Sequence, residues 1–136
     1  KLADDAADKG FKIVLTGTKE EMDIVQDVVH HMHHDAILVA GKTTIGAVAV
    51  LIEQAFALIS NCTGVSHIAA ALRTPSVVIS MDGEPERWAP LNTQLHQTVD
   101  WTSTPQFELA QKALDSLISR FAQRNHFRDA HVSLIK

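Results

Sequence analysis

Short uninterrupted apolar runs alternate with longer amphipathic segments along most of this chain. The apolar runs are rich in valine, isoleucine and leucine and are bounded by glycine, asparagine, threonine or proline. This is typical of strands buried on both faces of a sheet. The pattern predicts strands at 11–15, 36–40, 56–60, 76–81 and 97–100.

The segments between these strands carry apolar residues three and four positions apart, which is the period of one helix face. Met22, Val25, Val29 and Met32 form such a stripe. The alternation of strands and helices predicts one α/β domain with a doubly wound, Rossmann-like parallel sheet. Its core covers about 10–104, a closing helix covers about 105–124, and the pattern assigns no structure to the tail at 125–136. Helices are predicted at 2–9, 19–34, 44–55, 65–72 and 105–124.

The stretch 56–81 contains a buried strand, a tight turn, an alanine-rich helix and a second buried strand. A right-handed βαβ unit of this kind places its turn at the carboxyl edge of the sheet, where open α/β sheets bind ligands. Thr63 is suited to cap the helix, Gly64 to a tight turn, and His67 lies in the first helical turn. Unpaired N–H groups and the helix dipole favour an anion there, such as a diphosphate. An ordinary capped helix with a packed His67 has the same spacing, so spacing alone leaves both interpretations open.

Composition narrows the class of protein. The 136 residues, with 46% hydrophobic residues and a formal net charge of -4, are typical of one globular domain. Neither a basic stripe nor an acidic tail is present, which argues against a nucleic-acid partner. Cys62 is the single cysteine, which excludes an internal disulfide, and no apolar run is long enough to span a membrane. Because the chain starts at Lys1 within a predicted helix, we expect a fragment of a longer protein.

Gly41-Lys42-Thr43 resembles the end of a phosphate-binding P-loop, but that pattern requires glycine where Ala36 stands. No GxGxxG motif follows a strand either, which argues against a nicotinamide enzyme. These residues then form a second strand-to-helix turn at the same edge, where Lys42 could meet a phosphate and Thr43 a base. A solvent-exposed turn explains Lys42 equally well.

Four histidines cluster at the end of the helix predicted for 19–34: His30, His31, His33 and His34. Pairs at i and i+3 or i+4 can hold a transition metal, but no cysteine joins the cluster and the nearest carboxylate lies past the helix end. A solvated helix terminus, favoured by the helix dipole, is the better explanation. No metal site is predicted.

Residues 61–67 read Asn-Cys-Thr-Gly-Val-Ser-His and precede the alanine-rich helix, Thr74-Pro75 and the loop 84–90. This arrangement resembles the signature of glycosyltransferase family 9, the heptosyltransferases. That signature has asparagine or serine, aspartate, threonine, glycine, two variable residues and histidine, then an alanine-rich helix, G-T-P, a strand and a P-x-R-x-x-P loop. The resemblance combines several fixed spacings and covers most of the chain, from about 1 to 99.

The resemblance implies a GT-B enzyme, in which two Rossmann-like domains face each other across a cleft and the C-terminal one holds the nucleotide-sugar donor. This chain resembles that C-terminal domain alone. The implied reaction is inverting, metal-independent transfer of a heptose from ADP-heptose to the inner core of lipopolysaccharide, with no cofactor besides the donor substrate. The implied location is cytoplasmic, which leaves open peripheral contact with the inner face of the inner membrane.

The resemblance also implies roles for particular positions. The general base of this family belongs to the N-terminal domain, so no catalytic residue is expected in this chain beyond His67, which stabilises the departing diphosphate. The chain alone is expected to bind donor weakly and not to turn over. The implied donor contacts are Thr63, Gly64 and His67 at the diphosphate, Thr43 by the adenine, and Lys19 or Glu20 near the ribose.

Cys62 departs from the family pattern, because it stands where the family has an aspartate that helps arrange the donor. As a hypothesis, its position beside a helix N-terminus lowers the pKa of the thiol and makes it reactive. The competing interpretation is a small buried residue that fills the space of the aspartate. Ser80-Met81-Asp82 also replaces the usual aromatic-glycine pair. These departures support an alternative function, a nucleotide-binding or interaction module that kept the fold and lost catalysis.

Overall fold

The structure of the protein, a computed structural model, describes residues 1–121 and 132–135. In this part of the chain, helices cover both faces of a parallel sheet, so the predicted doubly wound α/β fold is confirmed. The strands are β1 (Lys12–Leu15), β2 (Ala36–Leu38), β3 (Ala57–Asn61), β4 (Ser76–Ser80), β5 (His96–Asp100) and β6 (Val132–Ile135). The helices are α1 (Leu2–Asp8), α2 (Met22–His31), α3 (Ile45–Gln54), α4 (Gly64–Leu72), α5 (Pro85–Trp88) and α6 (Phe107–Phe121).

The strand order is β2-β1-β6-β3-β4-β5, so the last strand along the chain lies near the centre of the sheet. β6 pairs in parallel with β1 on one side and with β3 on the other. The sequence pattern assigned no structure to 125–136, because a segment as short as Val132–Ile135 shows no clear period. Residues 122–124 of the predicted closing helix, like 125–131, lie outside the described residues.

The helix predicted for 19–34 begins later than the pattern indicated, at Met22. The Thr18 N–H donates to a Glu21 carboxylate oxygen at 2.7 Å, and the Glu21 N–H donates to the Thr18 carbonyl at 3.3 Å. These bonds close a turn ahead of the helix. The Glu21 side chain therefore closes this turn, and the helical turn predicted for 19–21 does not form.

The same helix ends at His31, because the N–H groups of His33 and His34 both donate to Asp4 Oδ1, at 2.9 and 3.1 Å. Burial disfavours the Asp4 carboxylate, but these two N–H groups outweigh that effect and hold its pKa below the ordinary value. The His34 ring lies 2.6 Å from Asp8. Within the described residues, no three histidine, cysteine or acidic side chains are placed to hold a metal ion.

The other predicted strands and helices agree with the structure to within a residue or two at the ends that the structure describes. The loop 82–90 differs, because it contains the short helix α5, which the sequence pattern did not predict. Pro85 stands at its first position, where proline is well tolerated because that residue's N–H has no partner inside the helix.

The hydrophobic core forms two layers, one on each face of the sheet. Successive residues of β1 point to opposite faces, so Ile13 and Leu15 pack under α1, α2 and α6, whereas Val14 packs under α3 and α4. The first layer includes the buried residues Ala6, Val25, Ala110, Leu114 and Leu117. The second layer includes the buried residues Ile52, Leu58, Val65 and Ala69.

Arg73 ends α4 in the left-handed conformation, with φ 58°. Gly10 occupies the corresponding position after α1, with φ 89°. The left-handed region costs a residue with a Cβ roughly 1 kcal/mol. We therefore expect Arg73→Gly to raise the free energy of unfolding by about 1 kcal/mol, measured by urea denaturation. Arg73→Ala keeps the strain and is the matched control; equal stability of the two variants would contradict this account.

Candidate functional site

The carboxyl ends of the parallel strands meet at one edge, and the turns that follow β1 and β2 lie against each other there. The Gly41 N–H donates to the Gly17 carbonyl at 2.9 Å. Gly41 has φ +67°, and a Cβ at this position would lie 3.4 Å from the Cα of Lys19. Lys19 therefore lies beside the turn that carries Lys42 and Thr43. The structure thus brings three predicted donor-site residues onto neighbouring turns.

The predicted residues of these two turns differ in exposure and in hydrogen bonding. The Thr43 hydroxyl oxygen is buried and has no hydrogen-bond partner in the described part of the chain, so its hydrogen-bonding capacity is unused. Lys42 is exposed, and its Nζ lies 3.5 Å from the Leu38 carbonyl, at the limit of a hydrogen bond. Glu20 is exposed as well. The position of Lys42 fits both interpretations of this residue.

Thr63 precedes α4 with extended backbone, as predicted for a cap, but its side chain makes no capping hydrogen bond. Thr44, the equivalent residue of α3, accepts a bond from the Ala47 N–H at 3.3 Å. The Thr63 carbonyl instead accepts from Ser66, from the N–H at 2.9 Å and the hydroxyl at 2.7 Å. The start of α4 therefore keeps N–H groups that its own cap residue does not satisfy, and these are donors for an anion.

Gly64 is the first residue of α4, and the space in front of it is open. It does not have a positive φ, and a Cβ there would meet no atom within 4 Å, so the tight turn does not require glycine as the sequence suggested. A side chain at this position would instead fill the space ahead of the N–H groups. His67 is exposed one turn into the helix. Glycine therefore keeps this helix start accessible.

A narrow cleft of about 120 Å³ lies between the turns after β1 and β3. Thr16 is only 2% exposed, and its hydroxyl has no hydrogen-bond partner among the described residues. The cleft combines hydroxyls, an amide and a carboxylate with an apolar wall. Its lining residues are Thr16, Glu21, Ile24, Val25, Asn61 and Thr63. Neither Lys19 nor Glu20 lines it.

The Cys62 thiol is half-buried, and its Sγ lies 3.6 Å from the Trp88 carbonyl oxygen. Burial, together with the negative charge of Asp82, raises the pKa of this thiol, and a hydrogen bond with Ser66 opposes the rise only in part. The hypothesis of a reactive, low-pKa thiol was therefore wrong. Burial of the thiol is the larger cause, and the charge of Asp82 adds to it.

A second, wider cleft of about 440 Å³ lies beside α5, and its polar groups are mostly acidic. Asp100 accepts from Ser103 and Thr102, and these bonds lower its pKa to about 2. Asp82 accepts from the Glu84 N–H and the Ser80 hydroxyl, which also lowers its pKa. Both side chains are carboxylates at neutral pH and can accept hydrogen bonds from ligand hydroxyl groups. The lining residues are Gly83, Glu84, Pro85, Glu86, Arg87 and Asp100.

Sequence reasoning assigned no donor contact to several polar residues at this edge. Thr16 directly follows β1, Asn61 ends β3, Asp82 follows β4 by two positions and Asp100 ends β5. The shared signal was available, since each lies at the carboxyl end of a predicted parallel strand, where ligand-binding groups collect. Glu21 gave no such signal, because it falls within what the pattern indicated as a helix.

Comparisons with known proteins agree on one family. The family model of glycosyltransferase family 9 (heptosyltransferase) matches residues 1–116. The chain is 34% identical over 100 residues to lipooligosaccharide heptosyltransferase 2 of Haemophilus ducreyi. This match covers 69% of this chain and 29% of that protein. It is 26% identical over 96 residues to lipopolysaccharide heptosyltransferase 2 of Escherichia coli K12, covering 68% and 28%. The chain therefore spans less than a third of the length of these relatives.

The fold is similar to the crystal structure of the glycosyl transferase family 9 protein from Veillonella parvula, with a TM-score of 0.77 and 21% sequence identity. The match covers 88% of this chain and 40% of that chain. No helix in the described ranges 1–121 and 132–135 is long and apolar enough to cross a bilayer.

Proposed function

The chain belongs to glycosyltransferase family 9, the heptosyltransferases, and we propose that it is the donor-binding part of a sugar transferase. The proposed donor is ADP-heptose and the proposed acceptor is the inner core of lipopolysaccharide, with inversion at the sugar and without a metal. A further domain, ahead of this one in the longer protein, holds the acceptor and the general base. The proposed location is the cytoplasm, at the inner face of the inner membrane.

The observation that carries this proposal is the open start of α4. The Thr63 side chain makes no capping bond to the first N–H groups of the helix, and Gly64 leaves open space at the helix start. Backbone N–H groups and the positive end of a helix dipole bind a phosphate group without any positive side chain. A donor diphosphate in this position is within reach of the Thr63 hydroxyl and the His67 ring.

The same geometry gives these residues a role in the chemistry. When the bond between sugar and diphosphate breaks, negative charge grows on the phosphate oxygen that leaves. Donors fixed in advance at α4 stabilise that charge more strongly than they stabilise the bound donor, which lowers the barrier. His67 adds an imidazole N–H to the same set. The residues of this chain therefore act on the leaving group, and deprotonation of the acceptor falls to the other domain.

The neighbouring surfaces suit the rest of a nucleotide-sugar. Thr43, whose hydroxyl has no partner among the described residues, lies on the turn after β2, at the position proposed for the nucleobase. The acidic cleft that includes Glu84, Glu86 and Asp100 offers carboxylates to sugar hydroxyls. Because carboxylates repel phosphates, this cleft fits the neutral sugar and not the diphosphate.

We expect calorimetric titration with ADP, UDP, GDP and CDP to show selective binding of ADP, weakly by this chain and more tightly by the longer protein. His67→Ala should weaken ADP binding about tenfold, the value of one hydrogen bond to a charged group. Gly64→Val should abolish binding without lowering thermal stability, because its side chain enters empty space. His30→Ala, an exposed histidine far along α2, is the control and should change nothing.

A second candidate function rests on Cys62. Where a donor-arranging carboxylate is expected, this chain has a thiol that is protonated at neutral pH. If the longer protein binds none of the four nucleotides, the module that kept the fold without catalysis is the better account. Binding of ADP without sugar transfer would mean that the protein has kept donor binding and lost catalysis.

A further inference from the structure

The centre of the sheet is held together by one strand that comes from the far end of the chain. β6 pairs with β1 from Lys12↔Val132 to Leu15↔Ile135, and with β3 from Ala57↔Ser133 to Ile59↔Ile135. Because β6 lies between them, β1 and β3 make no ladder with each other. Without β6 the sheet would divide into a two-stranded part and a three-stranded part.

The strand order identifies which strand normally fills this position. A doubly wound sheet of six strands has the order 3-2-1-4-5-6, with its first strand at the switch point between the two halves. The observed order is β2-β1-β6-β3-β4-β5. If β1 to β5 are counted as the second to sixth strands, every position agrees and β6 occupies the place of the first. By this count the sheet has a position for a strand that precedes α1.

Helix α1 supports the same conclusion independently. Ala3 and Ala6 of α1 are buried in the same core layer as Val25 of α2, so both helices cover one face of the sheet. Because crossovers are right-handed, two successive helices lie on the same face of a parallel sheet only when the strands that they connect follow one another in the same direction across the sheet. α2 leads from β1 to β2, so a strand connected through α1 must lie on the other side of β1, where β6 lies.

We propose that the central position between β1 and β3 is an exchangeable strand site. Its proper occupant is a parallel strand that precedes α1 in the longer protein, and Val132–Ile135 fills the position in its place. The carboxyl end of β6 and the start of α1 lie at the same edge of the sheet, so a short βα turn would join such a strand to α1. Relatives more than three times as long as the matched region have ample chain for it.

Proline substitution tests this site, since proline has no N–H and removes a ladder bond from a central strand. We expect Leu134→Pro to lower the melting temperature of this chain by about 10 °C. Leu134→Val keeps the backbone donor and is the matched control. A copy of residues 131–136 joined ahead of Lys1 by a short linker should restore most of the loss in the Leu134→Pro variant.

In the longer protein, Leu134→Pro should shift the melting temperature by less than about 2 °C, because the strand ahead of α1 holds the position. Equal melting of the Pro and Val variants in this chain would overturn the proposal, because β6 would then contribute nothing to the sheet. Failure of the copied strand to restore stability, or a full loss in the longer protein, would overturn the exchange itself. If Leu134→Pro does not fold at all, recovery of folding by the copied strand gives the same answer.

Discussion

Leu58→Ala is expected to lower the free energy of unfolding by about 3 kcal/mol, within the range for a fully buried leucine. Leu58 is 0% exposed in β3 and packs with Ile52 of α3 and Val65 of α4. The truncation removes contacts and leaves a cavity between the sheet and the two helices whose starts form the ligand edge. Urea denaturation followed by circular dichroism measures the change.

Leu91→Ala is the matched control for this prediction. Leu91 is 98% exposed, so the same chemical change should shift stability by less than about 0.5 kcal/mol. Similar losses in the two variants would mean that β3 is not buried between two layers. The doubly wound arrangement of the helices would then need revision.

The stability of the chain is expected to fall as the pH drops below about 6.5 because of His96. This side chain is 2% exposed, and its Nδ1 lies 2.8 Å from the Ser76 hydroxyl. Burial disfavours the charged ring and lowers the pKa of His96 below its ordinary value. Below pH 6.5 the unfolded chain therefore binds a proton that the folded chain does not, which favours unfolding.

The slope can reach about 1.4 kcal/mol per pH unit for one such group, until the folded pKa is also reached. Above about pH 7 both states are neutral at this residue, and the slope from His96 vanishes. His96→Gln should be less stable at neutral pH and should lose this part of the slope, as measured by urea denaturation at each pH. His30→Gln, at an exposed position, should keep it; an unchanged slope in His96→Gln would contradict the assignment.

The fold class and most of the elements could be predicted because apolar runs and helix stripes have distinct periods. Strands such as 56–60 and 76–81 are bounded by residues that break regular structure, so their limits were clear. The ends of the helix predicted for 19–34 were not clear, because they depend on hydrogen bonds to two side chains. Glu21 is close in sequence to its partner, and Asp4 is far in sequence from its partners. Periodicity contains no information about such bonds.

Part of the candidate site followed from position alone. Thr63 and Thr43 both lie on strand-to-helix turns at the carboxyl edge, as the order of elements requires, although β1 and β6 separate their strands in the sheet. The pKa of Cys62 could not be predicted, because it depends first on how deeply the thiol is buried and then on Asp82, which lies on another strand's turn. Only the three-dimensional arrangement shows which of two opposing electrostatic effects is larger.

The central position of β6 also affects how this chain folds on its own. β1 and β2, and separately β3, β4 and β5, can pair early, but among the described residues only the ladders of 132–135 join the two groups of strands. Contacts so distant in sequence form slowly, because a long loop must close first. Until then β1 and β3 present unpaired edges to any other strand nearby, which makes the partly folded chain prone to aggregate.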